Sequence, residues 1–204
     1  MEAADLALLH EQYHDYFIVE QQINLNVKLF NSALPDELGF EALIPAPFKM
    51  VSELAAVDHA AIKSLNRIGE FAEDLASYLR AQSRKIDMML GFMLQQQDEV
   101  QFRHVSHSFG GSACCFYSDT PLEPGQHVEI KMFLNHGEGA VFALAVVLGC
   151  QQQDNEAETS RYVIKTTFVR IKDADRELVV RASLHEQSRQ LKRKAELRAQ
   201  QGNR

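Results

Sequence analysis

The chain reads as an α+β protein: a small six-stranded antiparallel β-barrel, with a long heptad-repeat helix inserted after the first strand and a further helix at the C-terminal end. Three observations predict this. From Val51 to Gln96 apolar residues recur every seven positions, with no proline to interrupt them. Before and after that stretch the apolar period falls to two, the mark of half-buried strands. The strands are short and separated by Gly- and Pro-containing turns, which favours a barrel that closes on its own edges.

Taken in order, Leu6, Leu9 and Tyr13 stand at helical spacing and predict a short helix over Met1 to Gln12. Tyr16 to Val19 is a strand, and Ile23, Leu25, Val27 and Leu29 alternate with polar residues as a second strand-like run. Asn31 to Pro47, with Pro35, Gly39, Pro45 and Pro47, reads as a loop. Pro47 suits the start of the long helix, with Ser52 and Glu53 in its first turn. That helix runs to about Gln97 and carries two interior glycines, Gly69 and Gly91, each costing about 1 kcal/mol relative to Ala. Phe102 to His107 and Ser112 to Tyr117 are strands around a Gly110-Gly111 turn, and Thr120 to Gly125 is a turn. His127 to Leu134, Ala140 to Gln151 and Arg161 to Ile171 are three longer strands, with a polar hairpin loop over Gln151 to Ser160. Asp173 opens the terminal helix, and from Gln187 the chain turns polar enough to fray. The domain division is therefore residues 13–30 and 100–186 as barrel plus C-terminal helix, 48–98 as the inserted helical segment, and 187–204 as a polar tail.

In the heptad, Val51, Asp58, Leu65, Ala72, Leu79, Ile86 and Met93 are the a positions. Leu54, Ala61, Ile68, Leu75, Gln82, Met89 and Gln96 are the d positions. Such a repeat argues for a coiled coil. At 1.5 Å per residue it forms a rod of about 70 Å, longer than one small domain can cover, so the seam calls for other copies of the chain. Met50, Val57, Phe71, Tyr78 and Phe92 widen the apolar face on one side, and Ile62, Ala76 and Leu90 on the other. A face that broad suits a tetramer, or a dimer seam plus a contact with the barrel. The alternative is a helical hairpin folded onto its own domain, bent at Gly69 or Gly91.

Composition narrows the function classes. Of 204 residues, 28 are acidic and 21 basic, giving a net charge of −7 and a pI of about 5.6. This argues against a nucleic-acid polymer or an anionic membrane as partner. No apolar run approaches the roughly 20 residues of a membrane span. Met1 to His10 is acidic and lacks the positive region of a secretory signal. The three cysteines, Cys114, Cys115 and Cys150, form no disulfide framework and suit a reducing cytoplasm.

Three stretches resemble the PilZ domain family, six-stranded barrels that commonly bind cyclic di-GMP in bacteria. They are HDYFIVEQQINLNVKLF (14–30), SFGGSACCFYSDTPLEPGQHVEIKMFL (108–134) and RYVIKTTFVRIKDADRELVVRASL (161–184). The family's ligand motifs are RxxxR and (D/N)xSxxG. The first falls on His14 to Ile18, so His14 and Ile18 stand where arginines are expected. The second falls on Ser108 to Ala113 if Phe116 anchors the alignment, including Gly110 and Gly111, and keeps none of the motif's residues. A register shifted to Ser106–Gly111 keeps Ser108 and Gly111, lacks the acid, and needs extra residues before Phe116. Arginine forks bind phosphate bidentately, at roughly 1.5–3 kcal/mol per charge-assisted contact. Losing two costs about 3–6 kcal/mol, or roughly two to four decades of affinity. The resemblance thus implies a degenerate PilZ domain whose standard cyclic di-GMP site is missing.

Other residues carry weaker signals. His10 and His14 lack an acidic or cysteine partner for a metal, and His104 and His107 sit in a strand and face opposite sides. Cys114 and Cys115 suit barrel packing better than nucleophilic roles. Lys192, Arg193, Lys194 and Arg198 form a solvated basic stretch. Gly110-Gly111 lacks the lysine and helix of a phosphate loop. No catalytic constellation, metal set or cofactor motif is present. The heptad and the lack of a catalytic constellation predict a non-catalytic, homo-oligomeric adaptor that displays its barrel to a protein partner, and the PilZ resemblance implies bacterial cyclic di-GMP-related signalling as its setting. The alternative is a cyclic di-GMP receptor using Arg103, Ser108, Arg161 and Lys165.

Overall fold

The computed structural model describes residues 17–51, 71–135, 138–153 and 161–201. Seven strands form one antiparallel sheet: β1 (Ile18–Glu20), β2 (Asn24–Leu29), β3 (Arg103–Gly110), β4 (Ala113–Ser118), β5 (His127–Phe133), β6 (Ala140–Gln153) and β7 (Arg161–Ile171). Their order is β1-β3-β2-β5-β6-β7-β4, and a further β3–β4 pairing closes the ring. β1 and β2 share one neighbour: Ile18 pairs with Gly110 at one end of β3, and Asn24 pairs with Val105 nearer the other. They thus fill one position, and the result is a six-position antiparallel barrel.

The two strand-like runs read before the helix are therefore one interrupted barrel strand. Its break at Gln21–Ile23 is bridged by Ser106. The Ser106 hydroxyl donates to the Gln21 carbonyl at 2.6 Å and accepts the Ile23 N–H at 2.9 Å. The strands on either side of the inserted segment belong to one sheet, as the sequence predicts.

The interior follows from alternation. Leu25, Val27, Phe116, Ile130, Met132, Val141, Ala143, Ala145, Val147 and Ile164 point inward and are buried together. The C-terminal helix seals the barrel mouth with Leu178, Val179 and Ala182. In the TPLEPG turn Gly125 has φ 92°, a conformation few other residues adopt cheaply.

Several expectations are corrected. The stretch 31–47, read as a loop, contains helix α1 (Glu37–Leu43), whose N-cap Asp36 accepts the Gly39 N–H at 2.8 Å. Residues 46–51 are helical, with Pro47 in the first turn, and α2 spans Phe71–Gln95, passing Gly91 without a break. One continuous helix over 48–98 is not shown, since 52–70 lie outside the described residues. The terminal helix α3 (Asp173–Gln201) continues through the segment expected to fray, as a run of helix-favouring Gln, Lys, Arg, Glu and Ala permits. β6 extends to Gln153, two residues beyond its expected end. The helix expected over Met1 to Gln12 lies outside the described residues.

A second apolar cluster sits on the outer surface of β5 and β6. Phe40 of α1, Ile44, Phe48, Val51, and Leu90 and Leu94 of α2 cover Phe142 and Leu144. Phe48 stands 6.0 Å from Phe133 and 6.4 Å from Phe142, ring centre to ring centre. This cluster fixes where the inserted segment leaves the barrel and where it returns.

Candidate functional site

Two regions carry the residues singled out in the sequence. The first is helix α2. Its 25 residues span about 37 Å. Leu90 and Leu94, in its last turns, are buried in the second cluster. On the adjoining face Leu75, Leu79, Ile86, Met89 and Met93 are exposed, and Tyr78 and Phe92 lie beside them. Met89 is 71% and Phe92 65% exposed, so the helix presents apolar side chains that nothing among the described residues covers. Of the remaining oligomerisation candidates, Val51 is buried in the chain's own second cluster. Ala72 lies on the α2 backbone, and Leu54, Ala61, Leu65 and Ile68 lie outside the described residues. Tyr78 and Phe92 do not pack on the barrel; Leu90, on the other flank, does.

The second region is the corner where the PilZ ligand motifs fall. The structure brings two of its positions together, since Ile18 pairs with Gly110, followed by Val19 with Phe109 and Glu20 with Ser108. Gly110 has no alternative here: a Cβ on it would collide with the Phe17 carbonyl oxygen. The Gly111 carbonyl accepts from the Arg176 guanidinium at 2.7 Å, which fixes the turn against α3. Ser108 is buried, and His14 lies outside the described residues. The β3–β4 register slips between Ser106 and Ser108, a bulge that absorbs an extra residue before Phe116. The motif register Ser106–Gly111 needs such an insertion. In it the acid's place goes to Ser106, whose hydroxyl is engaged by backbone.

Of the alternative ligand set, Arg103 stands apart from Ser108, Arg161 and Lys165. Arg103 starts β3, at the opposite end from Gly110, and its guanidinium is held by the Asp98 carboxylate at 2.7 and 3.1 Å. Arg161 lies over the Tyr117 ring at 4.8 Å. Lys165 and Ser108 both pair with Cys115 from either side, one strand apart on each flank.

Sequence reasoning missed the junction of α2 with the barrel. Asp98 and Glu99 follow α2 and enter a network with Asn26, Lys28, Arg103 and Lys131. Burial pulls the Asp98 carboxyl upward, but hydrogen bonds from Arg103 and Asn26 outweigh it and leave it below its ordinary range. Hydrogen bonds from Lys28 and Lys131 likewise hold Glu99 low. No periodicity announces Asn26, whose significance comes from a partner more than 70 residues away.

Catalytic features are not evident among the described residues. Burial, with Cys115 alongside, pushes the Cys114 thiol well up, away from nucleophilic use. No group of three or more His, Cys, Asp or Glu is placed to hold a metal ion among the described residues. No described helix is long and apolar enough to cross a membrane.

No family model and no curated protein matches the chain. Solved structures do. A tetrameric PilZ domain protein of Xanthomonas campestris, self-assembled via a helical bundle, matches 93% of this chain and 97% of its own, at TM-score 0.55 and 14% identity. An inhibitor of motility from Bacillus subtilis matches 86% of this chain and 52% of its own, at TM-score 0.44 and 7% identity. The PilZ domain of YcgR from Escherichia coli, solved with cyclic di-GMP, matches 48% and 83%, at TM-score 0.39 and 11% identity. The first of these shows a shared fold.

Proposed function

We propose, from the PilZ-type fold of the barrel, that this chain is a non-catalytic, self-assembling adaptor in bacterial cyclic di-GMP-related signalling. Residues 48–98 are its assembly segment, residues 13–30 and 100–186 its displayed barrel, and the cytoplasm its place of work. The observation that carries this reading is the uncovered apolar face of α2, Leu75, Leu79, Ile86, Met89 and Met93. An apolar stripe at heptad spacing is stable in water once copies of itself cover it. Its width favours four copies, and the Xanthomonas campestris neighbour, similar along nearly its whole length, assembles as a tetramer through helices. Several barrels on one bundle then bind a protein partner by avidity, without strong single contacts.

Cyclic di-GMP binding through the standard motif is not part of the proposal. Ile18 brings no charge to the motif corner, and Arg103 is committed to Asp98. Light scattering on the purified full chain tests assembly, with a tetramer expected and a monomer at micromolar concentration excluding it. Calorimetric titration with cyclic di-GMP tests the second element. No heat is expected at tens of micromolar, and micromolar affinity would put the receptor reading first.

A further inference from the structure

Methionine is concentrated at the end of α2 that meets the barrel. Of the six methionines in the chain, Met88, Met89 and Met93 lie within one stretch of six residues. Met88 is 76% and Met93 39% exposed, whereas Met132, inside the barrel, is fully buried. Met89 and Met93 stand four residues apart, at d and a of the heptad, and share the exposed face of α2 with Ile86. Leu90 and Leu94 point the other way and hold this end of the helix on the barrel. Met88 lies outside the a and d stripe. Glutamine takes the d position on either side, as Gln82 and Gln96. Between those two the a and d residues are Ile86, Met89 and Met93, so two of the three apolar layers there are thioethers.

We infer, resting on the assembly role proposed for α2, that Met89 and Met93 form a modification site for peroxides whose oxidation loosens the assembly. In each reaction a lone pair of the thioether sulfur attacks the O–O bond of hydrogen peroxide. One S–O bond forms, the sulfur gives up two electrons, and the second oxygen leaves as water. The sulfoxide is polar and accepts hydrogen bonds, and the seam offers it apolar neighbours. Ile86 is then the one apolar layer left between Gln82 and Gln96. The sulfurs are open to the oxidant in the dissociated chain, where the α2 face is bare, so oxidation draws on that form and retains it by mass action. Leucine packs as well as methionine in such a seam but cannot be switched in this way. Methionine sulfoxide reductases reverse the change, removing the oxygen as water while a dithiol becomes a disulfide.

The purified full chain is treated with graded hydrogen peroxide, then read by light scattering and by peptide mass spectrometry. Sulfoxide forms at Met88, Met89 and Met93 at doses that leave the buried Met132 intact. The concentration at which half the chain is assembled rises by about tenfold or more. Methionine sulfoxide reductases A and B with dithiothreitol return it to its starting value. Met89→Leu with Met93→Leu stays assembled under the same dose, although Met88 and the three cysteines are still present. Met88→Leu stays as sensitive as the wild type. Met89→Gln with Met93→Gln, polar at both positions, weakens assembly with no oxidant at all. An untreated wild type that is monomeric at micromolar concentration overturns this inference together with the assembly reading. An assembled wild type that carries both sulfoxides without weakening, or resists oxidation at Met89 and Met93, overturns this inference alone. So does a double leucine variant that dissociates under peroxide, or a double glutamine variant that assembles as the wild type does.

Discussion

The side-chain oxygen of Asn26 accepts the backbone N–H of Glu99 at 2.6 Å, tying the strand before the inserted segment to the residues that follow it. The Asn26 amide also donates to the Leu25 carbonyl at 3.1 Å and to Asp98 at 2.8 Å. With 1% exposure, Asn26 has little water to replace these bonds. Asn26→Ala should lower stability by about 1–3 kcal/mol in urea denaturation, through the groups it leaves unsatisfied.

The same junction sets an acid response. Asp98 and Glu99 are held below 3.8 and 4.5, the values they take in an unfolded chain. A depressed folded value means stability that is present above those pH values and is lost as pH falls through the lower folded ones. Thermal midpoints measured from pH 6 to pH 3, at about unit steps, should therefore fall at the acid end. Lys131→Met removes one of the bonds to Glu99 and should flatten that fall. An unchanged slope would exclude the Lys131 bond as a contributor, since Lys28 still holds Glu99 at 2.7 Å.

Gly110 and Gly149 make an internally controlled pair. A Cβ at Gly110 meets the Phe17 carbonyl, whereas one at Gly149 meets nothing within 4 Å. Gly110→Ala should cost about 1–3 kcal/mol by forcing β1 off β3. Gly149→Ala should stay within about 0.5 kcal/mol of the wild type by the same denaturation measurement.

Leu79→Glu with Ile86→Glu places two charges on the exposed face of α2. Light scattering should show smaller species, with the circular dichroism of the barrel unchanged. Met88→Glu, away from the a and d stripe, should leave the assembly intact.

Removing the inserted segment tests where the barrel ends. Because Phe48, Val51, Leu90 and Leu94 cover Phe142 and Leu144, cutting at Phe48 and Gln97 strips an apolar surface and should cause aggregation. Replacing residues 52–87 with a Gly/Ser linker retains that cover. It should yield a folded, β-rich monomer, since doubling a loop's length costs only about 0.6 kcal/mol.

By itself the sequence determined which segments are strands, where the turns fall, and that one helical segment carries an apolar seam at heptad spacing. These are local statements, written in periods of two and seven along contiguous residues. Only the tertiary structure decided which residues meet. It joined β1 and β2 into one barrel position along β3 and put a bulge between Ser106 and Ser108. It drew Val51 into the chain's own core and left Leu79 and Ile86 outside it. At the motif corner the loss of arginines was legible, because residue identity alone states it. That Ile18 faces Gly110, and that Asn26 holds Glu99, was not. Such pairings join positions more than 70 residues apart, and their energy depends on burial and geometry that no local pattern encodes.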